Sequence, residues 1–287
     1  MGYVDDAFAK LKSTLEIGKT EQDLAVRRHH QIRDHVRESW ALEEDFLTGS
    51  YRRETKTKKL KDVDIFVVID SDGPQASLRQ YGPTAVLGEL ASVLRPKYQD
   101  VYVDQMACVV GFGKEEEIMS FDIVPAFDRT GGGYEIPDTR TGGWISTNPR
   151  IHHELSTAKN TACDGKFVPF VKMIKGMNRH LDEPVNPSFL LEVMAQGIVF
   201  EPFGEYPEEV RWFLATAVEQ IHNSWPDPAG LGPDVNTMST LQRSAASRAL
   251  TDALAVAEKA IDLAADGHER SAVEQWRELF GWRMPRP

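Results

Sequence analysis

The stretch that most constrains this chain is Asp62 to Ile69, "DVDIFVVI". Its run of β-branched and apolar residues reads as a buried strand. Side chains two apart on a strand point the same way, so Val63, Ile65, Val67 and Ile69 share the core face while Asp62 and Asp64 share the other. Two carboxylates side by side repel, and each raises the other's pKa. A divalent cation removes the conflict: Mg²⁺, a hard ion, binds through one or two carboxylates plus substrate phosphates and keeps water on its other positions. The pair therefore reads as half of a nucleotide–metal site.

A third carboxylate, Asp122 in "SFDIVPAF", sits in another apolar strand segment. Three acids on adjacent strands can hold two metal ions about 3.5–4 Å apart, which orient an attacking hydroxyl and stabilise a departing pyrophosphate. A grip on the triphosphate is available in Gly49 and Ser50, 12 positions before Asp62. Glycine allows close backbone approach, the turn's N–H groups face outward, and the serine hydroxyl adds a donor. Alone, "GS" and "DVD" are weak signals; in this order, with a strand acid following, they are specific.

Composition narrows the partners. The chain has 287 residues, enough for one large domain or two closely packed ones, and a formal net charge of −11. That acidity opposes a broad grip on a nucleic-acid backbone, which rests on Lys and Arg neutralising phosphates. The run Arg52 to Lys61, with six Lys/Arg and one Glu, is a local exception, either a solvated hairpin or an attractor of anionic substrate. There is no charged-then-apolar leader and no run approaching the ~18 apolar residues of a membrane helix, so a cytoplasmic protein without a membrane partner is expected. Cys108 and Cys163 make no disulfide framework and no zinc motif, and both read as buried thiols.

Periodicity orders the rest. Thr20 is expected to cap a helix running to about Trp40, with Leu24, Ile32, Val36 and Trp40 on one face. The neighbouring "IGKT" is no P-loop, because the first glycine of GxxxxGK would fall on Ser13 and no strand precedes it. Val101–Gly111 and Ile118–Val124 read as further strands, with a helix between Pro74 and Leu94. The glycine-rich stretch Gly131–Trp144 reads as a mobile connector, and Glu115–Glu117 as a solvated turn. Helices follow over Phe167–Leu181, Val210–Ile221, Leu241–Ala265 and His268–Phe280. In the first of these, Lys172, Lys175 and Arg179 fall opposite the apolar stripe. The pairs His29–His30 and His152–His153 have no spaced third ligand. Tyr51, Tyr134 and Trp144 suit either packing or stacking on a base, and the end "WRMPRP" reads as a disordered tail or a handle for a partner.

"GSYRRET", "KDVDIFVVI" and "FDIVPAF", in this order, resemble the DNA-polymerase-β-type nucleotidyltransferase superfamily. More narrowly, the chain is similar to the bacterial CD-NTases, relatives of cyclic GMP-AMP synthase and oligoadenylate synthase that make cyclic oligonucleotide messengers in the antiphage systems called CBASS. The likeness continues through "YEIPDTRTGGWISTNP", "FVPFVKMIKGMN" and "PSFLLEVM" and spans roughly residues 20 to 220.

The resemblance implies an α+β fold: a polymerase-β-like core over residues 1–160, with a mixed sheet, flanking helices and an N-terminal spine helix. A helical lobe over 161–287 would complete the nucleotide pocket, with the active site in the cleft between lobes. It assigns Gly49 and Ser50 to the phosphate turn and Asp62, Asp64 and Asp122 to the metal triad. Lys175 would contact the donor triphosphate, with Lys172 one turn earlier as the alternative, and Ser188 would join that lysine. Two Mg²⁺ ions are the implied cofactor, with Mn²⁺ able to substitute. The expected partners are NTPs, ATP among them, and a regulatory protein encoded nearby, with no long nucleic acid. The expected activity is synthesis of a cyclic di- or trinucleotide with release of pyrophosphate. Transfer of one nucleotide to a protein, small-molecule or tRNA acceptor, and a catalytically dead binding module, stay open as rivals. The chain departs from the animal DNA sensor in lacking a zinc-ribbon-like cysteine cluster.

Overall fold

The strand expected from "DVDIFVVI" forms as β2 (Asp62–Ile69) in a computed structural model that describes residues 2–58, 60, 62–113 and 120–287. It pairs antiparallel with β1 (Leu42–Leu47) on one side and parallel with β5 (Ser120–Asp128) on the other. β4 (Ala107–Gly111) and β3 (Asp100–Asp104) continue the sheet in the order β1-β2-β5-β4-β3. The far end of β5 pairs with β6 (Tyr134–Asp138), which pairs with β7 (Gly143–Thr147). The parallel β2–β5 pair makes this a mixed sheet, and the chain between the two strands supplies the crossover that a parallel pair needs.

The alternation along β2 sorts the two faces. Val63, Ile65, Val67 and Ile69 pack with Ala25, Ile32 and Val36 of α2 (Lys19–Arg37) and with Val86, Leu87, Leu90 and Leu94 of α4 (Pro83–Leu94). The face shared with Asp62 and Asp64 carries a smaller apolar group of Phe66, Val68, Val124, Ala126, Tyr134 and Ile136.

The chain divides into two compact units, one of Ile17–His153 with Ala229–Pro233, the other of Met1–Glu16, Glu154–Pro228 and Asp234–Pro287. The boundary thus differs from the expected 160/161 and falls inside α5 (Pro149–Ala162). The helical unit also claims α1 (Tyr3–Leu15), whose Phe8, Leu11 and Leu15 bury with Phe170, Phe213 and Trp276. Phe8 meets the Trp276 ring edge-on at 5.1 Å. The unit otherwise comprises α6 (Phe167–His180), α7 (Phe189–Ile198), α8 (Tyr206–Gln220), α9 (Thr240–Ala265) and α10 (Glu269–Phe280). No helix of the described residues is long and apolar enough to cross a membrane.

Several local expectations are corrected. α2 is capped at Gly18, whose N–H donates to Glu21 at 3.1 Å, not at Thr20. The run Val101–Gly111 is two strands, because the chain turns back at Gln105–Met106 to pair Asp104 with Ala107. The supposed connector is β6 and β7, and Gly131, Gly132 and Gly133 form the preceding hairpin turn at φ 94°, 95° and 77°, a region that favours glycine. Within the basic run Arg53 and Lys56 are buried while Arg52 and Lys58 are exposed, and Lys59 and Lys61 lie outside the described residues. In the C-terminal segment Arg283 and Met284 are buried, Met284 in the helical core, while Trp282, Arg286 and Pro287 are exposed. Glu115–Glu117, together with Ile118 and Met119 of the expected third strand, lies outside the described residues. Cys108 and Cys163 are buried thiols as expected.

Candidate active site

The parallel register of β2 and β5 sets Asp64 beside Asp122, and Asp62 beside Ser120. Neighbouring strands run about 4.8 Å apart, so the Asp64 and Asp122 backbones are adjacent. Burial first, then the charges of Asp64 and Asp62, push the Asp122 carboxyl up to about 7, with Lys56 pulling the other way. Three acids are therefore gathered on one face, where the charges of Asp64 and Asp62 outweigh that of Lys56 at Asp122.

The phosphate turn is built against the same group. After β1 the chain enters a single helical turn, Gly49–Arg52, and Thr48 N–H donates to the Asp64 carbonyl at 2.9 Å. Gly49 has φ 62°, and a Cβ placed there would stand 1.8 Å from Asp64 Oδ2. Glycine is required twice, for the left-handed backbone and for the space that the carboxylate fills. The chain then folds back, with the N–H groups of Thr55 and Lys56 both donating to the Ser50 carbonyl at 3.0 Å.

Hard oxygen donors on neighbouring strands and a turn shaved to glycine beside Asp64 suit a divalent cation bound with a triphosphate. The donor set fits Mg²⁺ and equally Mn²⁺. Among the described residues no three carboxylate, imidazole or thiol groups converge at metal-ligand spacing, and Asp62 turns to Lys56 at 2.7 Å. The carboxylates are collected, but they do not form a finished cage. The histidine pairs add nothing to such a cluster; His29 instead faces Asp45 at 3.0 Å.

Lys172, Lys175 and Ser188 lie in the helical unit. Lys172 and Lys175 are buried, not on a solvated helix face: Lys175 donates to Glu192 at 2.8 Å and Lys172 to Glu16 at 2.6 Å. Ser188 is exposed at the N-cap of α7. It stands four residues before Glu192, so both fall on one helix face, and Glu192 links that face to Lys175.

Two features escape sequence reasoning. Lys56 is one cation among six in its run, and nothing local marks it as the partner of Asp62. The second is an aromatic wall. Phe46, paired with Phe66 across β1 and β2, and Tyr134 from β6 bring their rings within 5.4–5.9 Å of one another. The Tyr134 hydroxyl donates to Glu44 at 2.6 Å and accepts from Arg150 at 3.0 Å, while the Arg150 guanidinium covers the Phe46 ring at 4.7 Å. Tyr134 and Trp144, open between packing and stacking on sequence grounds, both pack, the latter edge-on to Phe127 at 5.3 Å.

Comparison with known proteins gives concordant likenesses. A family model described as "Second Messenger Oligonucleotide or Dinucleotide Synthetase domain" matches residues 1–160. A probable cyclic nucleotide synthase of Bacillus cereus (strain VD146) is 26% identical over 272 residues, covering 83% of this chain and 81% of that protein. A cyclic AMP-AMP-AMP synthase of Acinetobacter sp. (strain ATCC 27244 / 9458) is 27% identical over 309 residues, covering 97% of this chain and 84% of the relative. Among solved structures, CdnC of E. coli MS115-1 in its complex with HORMA-deltaN superposes with a TM-score of 0.72 at 20% identity, over 98% of each chain.

Proposed function

This chain belongs to the family of second messenger oligonucleotide or dinucleotide synthetases, the CD-NTases, with their polymerase-β-like α+β fold, and on that premise we propose that it joins NTPs into a cyclic di- or trinucleotide. Mg²⁺ is the proposed cofactor, pyrophosphate the by-product and bacterial antiphage signalling the setting. The observation that carries the reading is the placement of Asp64 beside Asp122 on parallel strands, with the Gly49 turn closed against Asp64.

Gly49 and Ser50 present backbone N–H groups and a hydroxyl to the donor triphosphate and hold its α-phosphorus against the carboxylates. A divalent cation held by Asp62, Asp64 and Asp122 would neutralise charge on the phosphates and acidify the attacking hydroxyl. Asp122 takes the proton from the acceptor's 3′- or 2′-hydroxyl. That oxygen forms its bond to the α-phosphorus as the bond to pyrophosphate breaks. Repetition, with the last transfer closing the ring, releases one pyrophosphate per bond. In-line phosphoryl chemistry asks the protein mainly for positioning and charge.

The name of the Acinetobacter relative supports ATP among the substrates, and the CdnC–HORMA-deltaN complex supports a regulatory protein partner. Lys175, Lys172 and Ser188 are assigned the donor triphosphate on the resemblance, a role to be tested by substitution. The decisive experiment incubates the protein with all four NTPs and Mg²⁺, with and without the product of an adjacent gene. A phosphatase-resistant product that disappears in Asp64→Asn and Asp122→Asn is expected. A labelled macromolecule or small molecule without any ring would instead establish single-nucleotide transfer.

A further inference from the structure

The triad already faces a cation of the chain's own. Lys56 leaves the backbone just after the phosphate turn, tied to it through its N–H bond to the Ser50 carbonyl at 3.0 Å. Its side chain is only 8% exposed, and its ammonium donates to Asp62 Oδ2 at 2.7 Å, whereas the Asp62 side chain is 43% exposed. An ammonium buried to that degree is costly unless a negative group compensates it, and Asp62 is that group. The same charge reaches Asp122, where it opposes the two neighbouring carboxylates.

We infer that Lys56 is the resident counter-ion of the triad, holding Asp62 until a divalent cation arrives together with a triphosphate and then surrendering it. The inference rests on the metal reading given above. An ammonium at hydrogen-bond distance and a doubly charged ion compete for one carboxylate, so Lys56 lowers the site's affinity for metal alone. A triphosphate reverses the balance, because its negative charges give the displaced ammonium a new partner. The backbone link to Ser50 places that exchange at the turn where the phosphates are expected to dock. The device favours the metal–nucleotide complex over bare metal and keeps the acids compensated between turnovers. Lys56 is thus a positioning residue, acting on the reaction through Asp62.

The test is equilibrium binding of Mn²⁺, followed through the electron paramagnetic resonance of the free ion, on the full chain with and without a non-hydrolysable ATP analogue. Wild type is compared with Lys56→Met, Lys56→Arg, Asp62→Asn and Asp64→Asn, and circular dichroism verifies folding. Without nucleotide, Lys56→Met should bind Mn²⁺ about tenfold more tightly than wild type or better, because a nearby positive charge has been removed. Lys56→Arg, which keeps the charge, should stay within about threefold of wild type. The analogue should close most of the gap between Lys56→Met and wild type. Equal or weaker Mn²⁺ binding by Lys56→Met overturns the inference, and Lys56→Gln serves the same comparison if the methionine variant does not fold. The two aspartate variants separate the levels. Nucleotide-dependent Mn²⁺ binding indifferent to both removes the metal reading and the inference with it. Binding that they abolish and Lys56→Met leaves unchanged removes the inference alone.

Discussion

Replacing Gly49 with alanine tests the geometry of the site most directly. At φ 62° the backbone of a residue with a Cβ is strained by about 1–2 kcal/mol. The added Cβ would stand 1.8 Å from Asp64 Oδ2 and 2.7 Å from its Cγ, whereas real Cβ contacts stay beyond 3.0 Å. The carboxylate must retreat by at least 1.2 Å, the difference between 3.0 and 1.8 Å, or the turn must move by as much. A misplacement of about 1 Å can cost roughly 10²-fold in rate, so kcat should fall by that factor or more while stability falls by about 1–2 kcal/mol. Pyrophosphate release at saturating NTP and a guanidinium melt on the same preparation give the two numbers. Gly111→Ala is the matched control: its Cβ would meet Asp100 Oδ2 at 2.0 Å, but Asp100 is exposed and can rotate away. Its kcat should stay within about twofold of wild type. A Gly49→Ala enzyme retaining more than a tenth of the wild-type kcat, or a control as damaged as the variant, would refute the reasoning.

Lys175→Met leaves Glu192, whose side chain is 2% exposed, without its nearest cation. A loss of about 3–5 kcal/mol in denaturant unfolding is expected, with more than half recovered in the double variant Lys175→Met/Glu192→Met. Burial holds the His29 imidazole below its usual 6.5, only partly offset by Asp45. The unfolded chain therefore takes up protons that the native chain resists as pH falls through that value, so stability declines on acidification and recovers as pH rises. Urea melts from about pH 5 to 8 should show a smaller slope in His29→Gln. Burial raises the Cys108 thiol to about 12, and Cys163 is also buried. Neither should react with Ellman's reagent before global unfolding, and fast native labelling of either would contradict the packing described.

The parts of the fold legible in the sequence are those with strong periodicity. The core face of β2, the stripe of Leu87, Leu90, Ala91 and Leu94, and the helices α6, α8, α9 and α10 all form close to where their spacing puts them. What escaped has a common cause. β1 contains Glu43, Glu44 and Asp45, a poor strand former on propensity. It forms because β2 offers it a ladder, while Arg37 takes Asp45 at 2.9 Å and the Tyr134 hydroxyl takes Glu44 at 2.6 Å. α1 looks like an appendage to whatever follows it in the chain, yet its apolar face is buried with residues of α6 and α10 more than 150 positions away.

By itself the sequence determined that Asp62 and Asp64 face the same way, opposite a β-branched core, with a glycine turn before them and a further strand acid after. Those features follow from strand periodicity and from glycine's missing Cβ, both local. Tertiary structure decided which strand lies beside β2, and hence that Asp122 stands next to Asp64. It also decided that Lys56, among the described cations of its run, reaches Asp62, and that Lys172 and Lys175 are buried against glutamates. Such pairings depend on which distant segments are brought together and on which charges lose their water, and neither is written in the spacing of neighbours.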